Sequence, residues 1–352
     1  MDSLLIKELS LKEKIAQLFL IGFHGSECVP GSAISDLIQQ YNVGGVILFD
    51  KNMVADKPVR NIESPEQLKK LTNGLQSVAK TPLLIGIDQE GGLVNRLKPQ
   101  YGFPKTKSHK ELGEIDDLQV TRNEARLISN VLKEHGININ FAPCVDLAIN
   151  PNSSIIAKRE RCFGTDAKTV IKHAEQYIYE HNKNDIITAC KHFPGHGSAE
   201  GDTHQGFVDV SDSWSSDELE PYEYFIAKDQ CSVIMTSHIF NRNFDPEYPA
   251  TLSRKTLTDL LRGKLGFKGV LVSDDMQMKA ISDHYTLKES LQKGLEAGVD
   301  IFCFGNNLLK KPVLLSEAIQ TILDLIETDK ISISRIDESV ERILNLKKRF
   351  LT

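Results

Sequence analysis

The chain has 352 residues, of which 40% are hydrophobic and 26% charged, a composition typical of globular proteins with a large buried core. Its 42 Lys and Arg residues are outnumbered by 48 Asp and Glu residues, which argues against binding to nucleic acid or an anionic membrane through overall charge. No apolar run approaches the roughly 18 residues that a membrane-spanning helix needs. The N-terminal segment also lacks the pattern of a secretory signal, so the sequence predicts a cytoplasmic protein.

The six cysteines are spread along the chain without a C-x-x-C pair. Disulfide frameworks are typical of short secreted chains, and thiolate metal sites usually show close cysteine pairs. Several of these cysteines lie in apolar runs such as FAPCVDL and IITACKHF. We therefore expect reduced cysteines that pack as small core residues.

The predicted elements alternate between amphipathic helices and short apolar strands. Ser10 and Glu13 fit a capping box that begins a helix over LKEKIAQLF, and Ser64-Pro65 begins another. Near-continuous apolar runs predict strands buried on both faces of a parallel sheet, and they cover 43–50, 82–90, 137–147, 185–193, 232–240, 269–276 and 298–305. Helices are predicted between them, for example over 64–80, 119–136, 166–183 and 286–298.

This alternation, without a break in composition, favours an α/β fold with one closed (β/α)8 barrel of the TIM type, a single domain over residues 1–352. The alternative is an open doubly wound sheet, but neither of the glycine-rich phosphate-binding motifs of such sheets occurs. Polar clusters also follow most of the predicted strands rather than one switch point. In a barrel, those strand ends meet at one mouth, where active sites lie.

The polar clusters contain residue types that suit sugar chemistry. In chain order they are 88–92 (DQEGG) with Arg96, Asp146, 191–197 (KHFPGHG), a loop with Asp202 and His204, 236–238 (TSH), and 273–275 (SDD). Because unpaired charges are costly to bury, we expect these groups to share a polar cavity. Glycoside cleavage needs a nucleophile or base on one face of the sugar and a proton donor on the other.

Four of these segments resemble the family-three glycoside hydrolases, and more narrowly their single-domain bacterial β-N-acetylhexosaminidase branch. They are IDQEGGLVNRL (87–97), KHFPGHG (191–197), DTH (202–204) and SDDMQMKAI (273–281). The most specific feature is KHFPGHG followed within a few residues by Asp-x-His. The segments LKEKIAQLFLIGF (11–23) and VGGVILF (43–49) extend the resemblance over nearly the whole chain.

The resemblance implies a retaining exo-β-N-acetylglucosaminidase. Asp274 would be the nucleophile, His204 on a mobile loop the acid/base, and Asp202 the carboxylate that orients it. A histidine with a pKa of about 6.5 can donate a proton to the leaving oxygen and later accept one from water. The side chains implied to bind the sugar are Asp88, Arg96, Arg161, Lys191 and His192. No metal or other cofactor is implied.

The same resemblance implies cell-wall turnover fragments as substrates, in which N-acetylglucosamine is linked to anhydro-N-acetylmuramic acid with or without a stem peptide. A monomer acting on such fragments in the cytoplasm is expected. Family-three β-glucosidases usually have a second domain that supplies a carboxylic general acid, and we expect none here. The flap sequence SAEG (198–201) and Thr203, where Ser is usual, depart from the pattern.

Other interpretations compete at several positions. Asp274 could instead cap the following helix, and Asp275 could be the nucleophile if the register differs by one residue. His192 and His196 have the spacing of a zinc-binding helix, but Pro194 between them breaks a helix. A metal-dependent barrel hydrolase that uses His192, His196, His204 and the aspartates is therefore disfavoured. We expect His196 to form structural hydrogen bonds in its turn.

Two further side chains have predicted structural roles, and two further functions are alternatives to the glycosidase. His238 is expected to satisfy a buried carbonyl group, and Glu90 to orient the glycine turn and the nearby arginine rather than contact the sugar. A phosphorylase of the same family, which would transfer the sugar to phosphate, stays open as an alternative. A non-catalytic sugar-binding protein is the interpretation that the reactive side chains support least.

Overall fold

Eight parallel strands form a closed barrel in chain order in the computed structural model, which describes residues 8–54 and 59–351. The strands are β1 (Phe19–Gly22), β2 (Gly45–Ile47), β3 (Leu84–Ile87), β4 (Ile139–Asn140), β5 (Ile187–Phe193), β6 (Val233–Thr236), β7 (Val270–Asp275) and β8 (Ile301–Phe304). The barrel closes because β1 pairs with β8 as well as with β2. The predicted (β/α)8 barrel is thus confirmed.

Helices connect the strands and surround the barrel. They are α1 (Leu11–Gln17), α2 (Ala33–Tyr41), α3 (Pro65–Ser77), α4 (His109–Ile115), α5 (Leu118–Glu134), α6 (Ala167–Lys183), α7 (Glu220–Ala227), α8 (Lys279–Ser282), α9 (Leu287–Ala297), α10 (Leu315–Glu327) and α11 (Ile333–Leu351), with a π-helix over Lys255–Lys264. Short 3-10 turns cover Pro99–Tyr101, Ala157–Arg159, Ser216–Leu219 and Ala250–Leu252. Among the described residues, no helix combines the length and the apolar character needed to cross a bilayer.

The first helix is shorter than the sequence predicts. Its capping box between Ser10 and Glu13 is present, but the helix ends at Gln17 and the next residues form β1. The prediction of a helix through residue 19 was therefore wrong, and β1 is the strand that the pattern missed. All four residues of β1 are buried, so in the sequence they continue the apolar stripe of the helix. A short apolar run cannot by itself distinguish a helix from a strand.

Burial along the strands shows where the barrel opens. The strands β1 to β6 and β8 are buried throughout, as expected for a parallel barrel covered by helices. In β7 the burial ends at Asp274 and Asp275, which are partly exposed. The C-terminal ends of the strands therefore surround an accessible mouth.

The opposite end of the barrel also holds buried charges. Asp300, just before β8, is fully buried and pairs with Arg262 (Nη2–Oδ2 2.6 Å) and Arg342 (Nη1–Oδ1 3.0 Å). Lys347 on α11 is buried as well, and its ammonium donates to Gln17 Oε1 at 2.7 Å. Since active sites of such barrels lie at the other end, we assign these groups to the structure of the barrel rather than to the active site.

Candidate active site

A cavity of about 640 Å3 lies at the C-terminal ends of the strands. It is lined by every site residue that the sequence analysis named, which are Asp88, Arg96, Arg161, Lys191, His192, Asp202, His204 and Asp274. These side chains come from the ends of different strands and from the loops that follow them. These eight side chains thus share one cavity, as expected, whereas Asp146 and residues 236–238 from the same polar clusters are not among its lining residues. The individual roles stay predictions.

Asp274 and Asp275, at the end of β7, both line the cavity but differ in pKa. Burial raises the pKa of Asp275 to about 6. Burial also opposes ionisation of Asp274, but the imidazoles of His192, His238 and His204 outweigh it and lower the pKa of Asp274 to about 2. The backbone N–H of Asp275 donates to Asp274 Oδ1 at 2.8 Å. Asp274 is therefore the carboxylate that stays ionised across the neutral range.

The helix-capping interpretation of Asp274 is wrong. The helix after β7 is α8, which begins at Lys279, and its N-cap residue is Met278, without a side-chain hydrogen bond. Asp274 lies four residues before that cap and faces the cavity. Its position therefore has no capping function.

His204 and Asp202 form a hydrogen-bonded pair on the loop 198–206, which we call the flap. The ring Nδ1 lies 2.9 Å from Asp202 Oδ1, and the backbone N–H of His204 donates to the same oxygen at 2.8 Å. This pairing assigns the proton to Nδ1 and leaves Nε2 for proton transfer. The flap is docked next to the end of β7, because the N–H of Ala280 donates to the Thr203 carbonyl at 3.1 Å.

The electrostatics of this pair favour a protonated imidazole. Burial works against the charged ring, but the Asp202 hydrogen bond and the negative charge of Asp274 outweigh it and raise the pKa of His204 above its ordinary value. The pKa of Asp202 is lowered to about 2, because its hydrogen bonds to His204 and Gln205 outweigh its partial burial. The ring remains 46% exposed, so it can meet a substrate.

A second group of charges lies on the other side of the cavity. Lys191 on β5 contacts both Asp88 (2.9 Å) and Glu90 (2.8 Å), and Arg96 contacts Asp88 at 3.3 Å. Despite burial, the cations Lys191 and Arg96 keep the pKa of Asp88 below its usual range. The cavity therefore presents a carboxylate acceptor beside ammonium and guanidinium donors, which matches the alternating groups of a sugar ring.

Glu90 is a buried anchor for a cation, as predicted, but the arginine is a different one. Its carboxylate pairs with Arg161, from the loop after β4, and not with Arg96, which is closer in sequence. Arg161 and Lys191 outweigh burial and hold the pKa of Glu90 well below its usual range. The Arg161 Nη2 group lies 3.1 Å from His192 Nε2, so Glu90 acts on the cavity through two other side chains.

Asp146 is a residue of the site to which the sequence analysis gave no role. It is buried just beyond β4, where its Oδ2 accepts from His192 Nδ1 at 2.7 Å and its Oδ1 accepts from the backbone N–H of His196 at 2.8 Å. The bond to Nδ1 makes His192 Nε2 an acceptor, which suits the Arg161 donor facing it. Its place at a strand end was the available signal, but no sequence pattern indicates its partners.

The predictions for the two remaining histidines of the site, His238 and His196, have different outcomes. The prediction for His238 is confirmed, because its Nε2 lies 3.0 Å from the Asp275 carbonyl oxygen. The prediction for His196 was wrong, because within the described chain neither of its buried ring nitrogens has a hydrogen-bond partner. The turn is bonded through the backbone of His196 instead. Burial lowers the pKa of His196 to about 4, so the ring is neutral.

The rim of the cavity contains residues that the sequence analysis missed. They include the apolar and cationic side chains of Phe49, Lys51, Met53, Leu93, Lys98, Ile155, Arg159 and Leu308, together with the acidic or polar side chains of Asp50, Gln205 and Asn307. Lys98 pairs with the Asp50 carboxylate. Phe49 ends a predicted strand and could have been found there. The others lie in loops, where sequence pattern carries no information on which side chains face the mouth.

The ligand set suggested for a metal-dependent hydrolase does not come together. In residues 8–54 and 59–351, the group of side chains whose ligand atoms lie within 4.8 Å of one another is Cys144, Asp146 and His192, all buried. His196 and His204 are outside it. The atoms of this group are already joined by hydrogen bonds, with Cys144 Sγ 3.1 Å from Asp146 Oδ2. The geometry therefore favours a hydrogen-bonded cluster at this position.

Comparison with known proteins gives the family. Residues 10–346 match the model of the glycosyl hydrolase family 3 N-terminal domain, so the chain belongs to this family. It is 31% identical over 343 residues to β-hexosaminidase A of Pseudoalteromonas piscicida, covering 90% of this chain and 55% of that protein. It is 32% identical over 313 residues to a β-hexosaminidase of Nitrosomonas eutropha, covering 86% and 85%. The family resemblance noted in the sequence is confirmed.

A solved structure supports the same assignment. The family 3 β-N-acetylglucosaminidase from Paenibacillus sp. FPU-7 superimposes with a TM-score of 0.87 at 34% identity, covering 97% of this chain and 62% of that one. The chain thus spans little more than half of the Pseudoalteromonas protein and about three fifths of the Paenibacillus one. Family and barrel are shared across that span.

Proposed function

We propose that the protein is a retaining exo-β-N-acetylglucosaminidase. One observation carries the proposal: the ionised Asp274 and the His204–Asp202 pair with its raised histidine pKa line the same cavity. An ionised carboxylate and a histidine that a neighbouring carboxylate keeps protonated can supply the nucleophile and the acid that retaining cleavage needs. The names of the relatives point to the same activity, with N-acetylhexosamine as the sugar.

The first step forms a bond between Asp274 and the sugar. A carboxylate oxygen of Asp274 attacks the anomeric carbon, and the bond from that carbon to the leaving oxygen breaks. The His204 imidazolium donates its Nε2 proton to the leaving oxygen. Asp202 stabilises the imidazolium before the transfer and keeps Nε2 directed away from itself, since it binds Nδ1.

The second step releases the sugar with its original configuration. Neutral His204 accepts a proton from water through Nε2, and the water oxygen attacks the anomeric carbon. The ester bond to Asp274 breaks, and the imidazolium and the free carboxylate are restored. The same residue serves as acid and then as base, as microscopic reversibility requires.

The cluster across the cavity is suited to hold the sugar during both steps. Asp88 accepts hydrogen bonds from hydroxyl groups, while Lys191, Arg96 and Arg161 form the donor side. His192 lines the cavity beside them, and its Nε2 faces the Arg161 guanidinium. Ion pairs hold these charged side chains in place, and groups that are already fixed lose little conformational freedom on binding. Together with the names of the relatives, this set of donors and acceptors supports binding of a terminal sugar and cleavage from the non-reducing end.

We extend the proposal to cell-wall turnover fragments as substrates. The cationic rim, which includes Lys51 and Arg159, would attract the carboxylates of a muramic acid and its peptide. All six cysteines are free and buried, which fits a reducing compartment and therefore a cytoplasmic recycling role. A single catalytic domain that acts as a monomer completes this proposal.

Product analysis tests the proposal and separates it from a phosphorylase. A N-acetylglucosaminyl-anhydromuramic acid substrate would be followed by proton NMR, with and without inorganic phosphate. We expect free β-N-acetylglucosamine as the first product in both cases. A sugar phosphate formed in the phosphate sample would identify a phosphorylase, and α-configured free sugar as the first product would contradict retention.

A further inference from the structure

Glu218 lies directly beneath the root of the flap. It belongs to the 3-10 turn Ser216–Leu219 and is 1% exposed. Its Oε2 accepts from the backbone N–H of Gly197, the last residue before the flap, at 2.7 Å. The contact is close enough that a Cβ atom on Gly195 would lie 2.5 Å from the Glu218 Cβ. The carboxylate is therefore packed against this turn.

Gly197 is held on both of its backbone groups. Its N–H donates to Glu218, and its carbonyl oxygen accepts from the N–H of Asn150 at 3.0 Å. The preceding N–H, that of His196, donates to Asp146. Two buried carboxylates thus bind successive N–H groups at the point where the chain leaves the barrel and enters the flap.

The burial of Glu218 destabilises the fold, and its side chain has no contact with the cavity that would explain this cost. It is absent from the lining of the cavity. The Ser198 hydroxyl lies beside it, yet Oε1 accepts no well-formed hydrogen bond from a described residue. A half-satisfied buried carboxylate destabilises a protein unless another gain offsets it, and the contact of Glu218 is with the segment that carries His204.

We propose that Glu218 is a positioning residue for the acid/base pair: its carboxylate fixes the root of the flap and thereby the location of His204 over the cavity. The proposal rests on the proposed function, since it requires His204 as the acid. Losing the carboxylate then slows the proton-transfer steps, while sugar binding through Asp88 and Lys191 is retained.

The surroundings of Glu218 make its hold on the flap dependent on pH. Burial raises the pKa of Glu218 to about 7, with the Asp146 carboxylate adding to the effect, while the Ser198 hydroxyl and the N–H groups of Gly197 and Ser215 oppose it. An ionised carboxylate accepts a stronger hydrogen bond than a neutral one. Acidification through pH 7 should therefore weaken the contact with Gly197.

Glu218→Gln tests the proposal, because it keeps the size and an acceptor oxygen but removes the charge. We would measure kcat/KM for a N-acetylglucosaminyl disaccharide, which needs acid catalysis, and for a 4-nitrophenyl glycoside, which barely does. The expected result at pH 8 is a loss of about tenfold or more on the disaccharide alone, with unchanged affinity for N-acetylglucosamine. Glu220→Gln, at an exposed glutamate two residues on, is the matched control and should equal wild type.

The pH profile adds a readout that a merely structural role would not move. Protonation of His204 raises the disaccharide-to-aryl ratio of kcat/KM in both proteins as the pH is lowered, so the readout is the wild-type ratio divided by the Glu218→Gln ratio. This quotient should be highest at pH 8 and fall toward one as the pH is lowered to 6, because protonated Glu218 is neutral like glutamine. Should the glutamine variant not fold, Glu218→Asp, whose carboxylate is one methylene too short to reach Gly197, should show the same selective loss.

The outcomes separate this proposal from the proposed function. A wild-type ratio in the Gln variant, or equal losses on both substrates, would overturn the positioning role of Glu218. His204→Ala is measured beside it with the same two substrates. If that variant also fails to discriminate between the substrates, the acid role of His204 is wrong and the proposed function falls instead.

Discussion

The Arg161 guanidinium pairs with the Glu90 carboxylate through two contacts, Nη2–Oε1 at 2.7 Å and Nε–Oε2 at 2.9 Å. The residues come from loops after different strands, and both side chains are largely buried. Because Arg161 also faces His192, the pair fixes cavity side chains that bind the sugar in our proposal. Glu90 thus shapes the cavity without lining it.

Glu90→Gln should weaken sugar binding more than catalysis. The substitution removes the charge that compensates Arg161 and Lys191, and hydrogen bonds to charged groups contribute about 1.5–3 kcal/mol. We expect KM and the inhibition constant of N-acetylglucosamine to rise about tenfold or more. Glu114→Gln, at an exposed site with a surface ion pair, is the control. Unchanged constants in the Glu90 variant would show that the pair is not needed to arrange the cavity.

His204→Ala should lose activity selectively on substrates with poor leaving groups. General acid catalysis contributes about 100-fold to 10,000-fold, so kcat/KM on a disaccharide should fall by about that factor. An aryl glycoside whose leaving group needs no proton should keep most of its kcat/KM. Comparable losses on both substrates would indicate that the ring holds the sugar rather than supplying the proton.

Asp202→Asn should move the alkaline limb of the disaccharide pH profile to lower pH. The first step needs protonated His204, so kcat/KM falls as the pH rises through the pKa of this residue. Burial lowers that pKa and the Asp202 carboxylate raises it, so without the carboxylate the imidazolium deprotonates at lower pH. The variant should also keep more activity than His204→Ala at pH 6. A limb that stays in place would contradict the assigned partnership.

Lys347→Met should stabilise the fold near neutral pH. Burial lowers the pKa of Lys347 from 10.5 to about 7, so between these values the unfolded chain binds more protons than the folded one. The lysine therefore destabilises the fold at and below pH 7, and stability recovers as the pH rises toward 10.

We expect a melting temperature a few degrees above wild type at pH 7 for this variant, with the difference shrinking as the pH is raised. Scanning calorimetry at several pH values would measure it, and Lys288→Met, at an exposed position, is the control. A constant or growing difference would contradict a buried lysine with a lowered pKa.

Much of the fold and the site could be predicted from the sequence, and the failures have physical causes. Apolar runs gave seven of the strands, but β1 was missed because four buried residues directly after a helix look like its continuation. The reactive side chains were found because they follow buried strands. Their partners depend on which loops meet in space, so Asp146 was left without a role and Glu90 was given the wrong arginine.

Covalent trapping of the sugar tests the central claim most directly. The enzyme would be treated with a 5-fluoro N-acetylglucosaminide, whose fluorine slows release of the intermediate, and the labelled peptide would be sequenced by mass spectrometry. We predict one adduct on Asp274, still formed in Asp275→Asn and absent in Asp274→Asn. An adduct on Asp275, or turnover by Asp274→Asn at the wild-type rate, would contradict the assignment of Asp274 as the nucleophile.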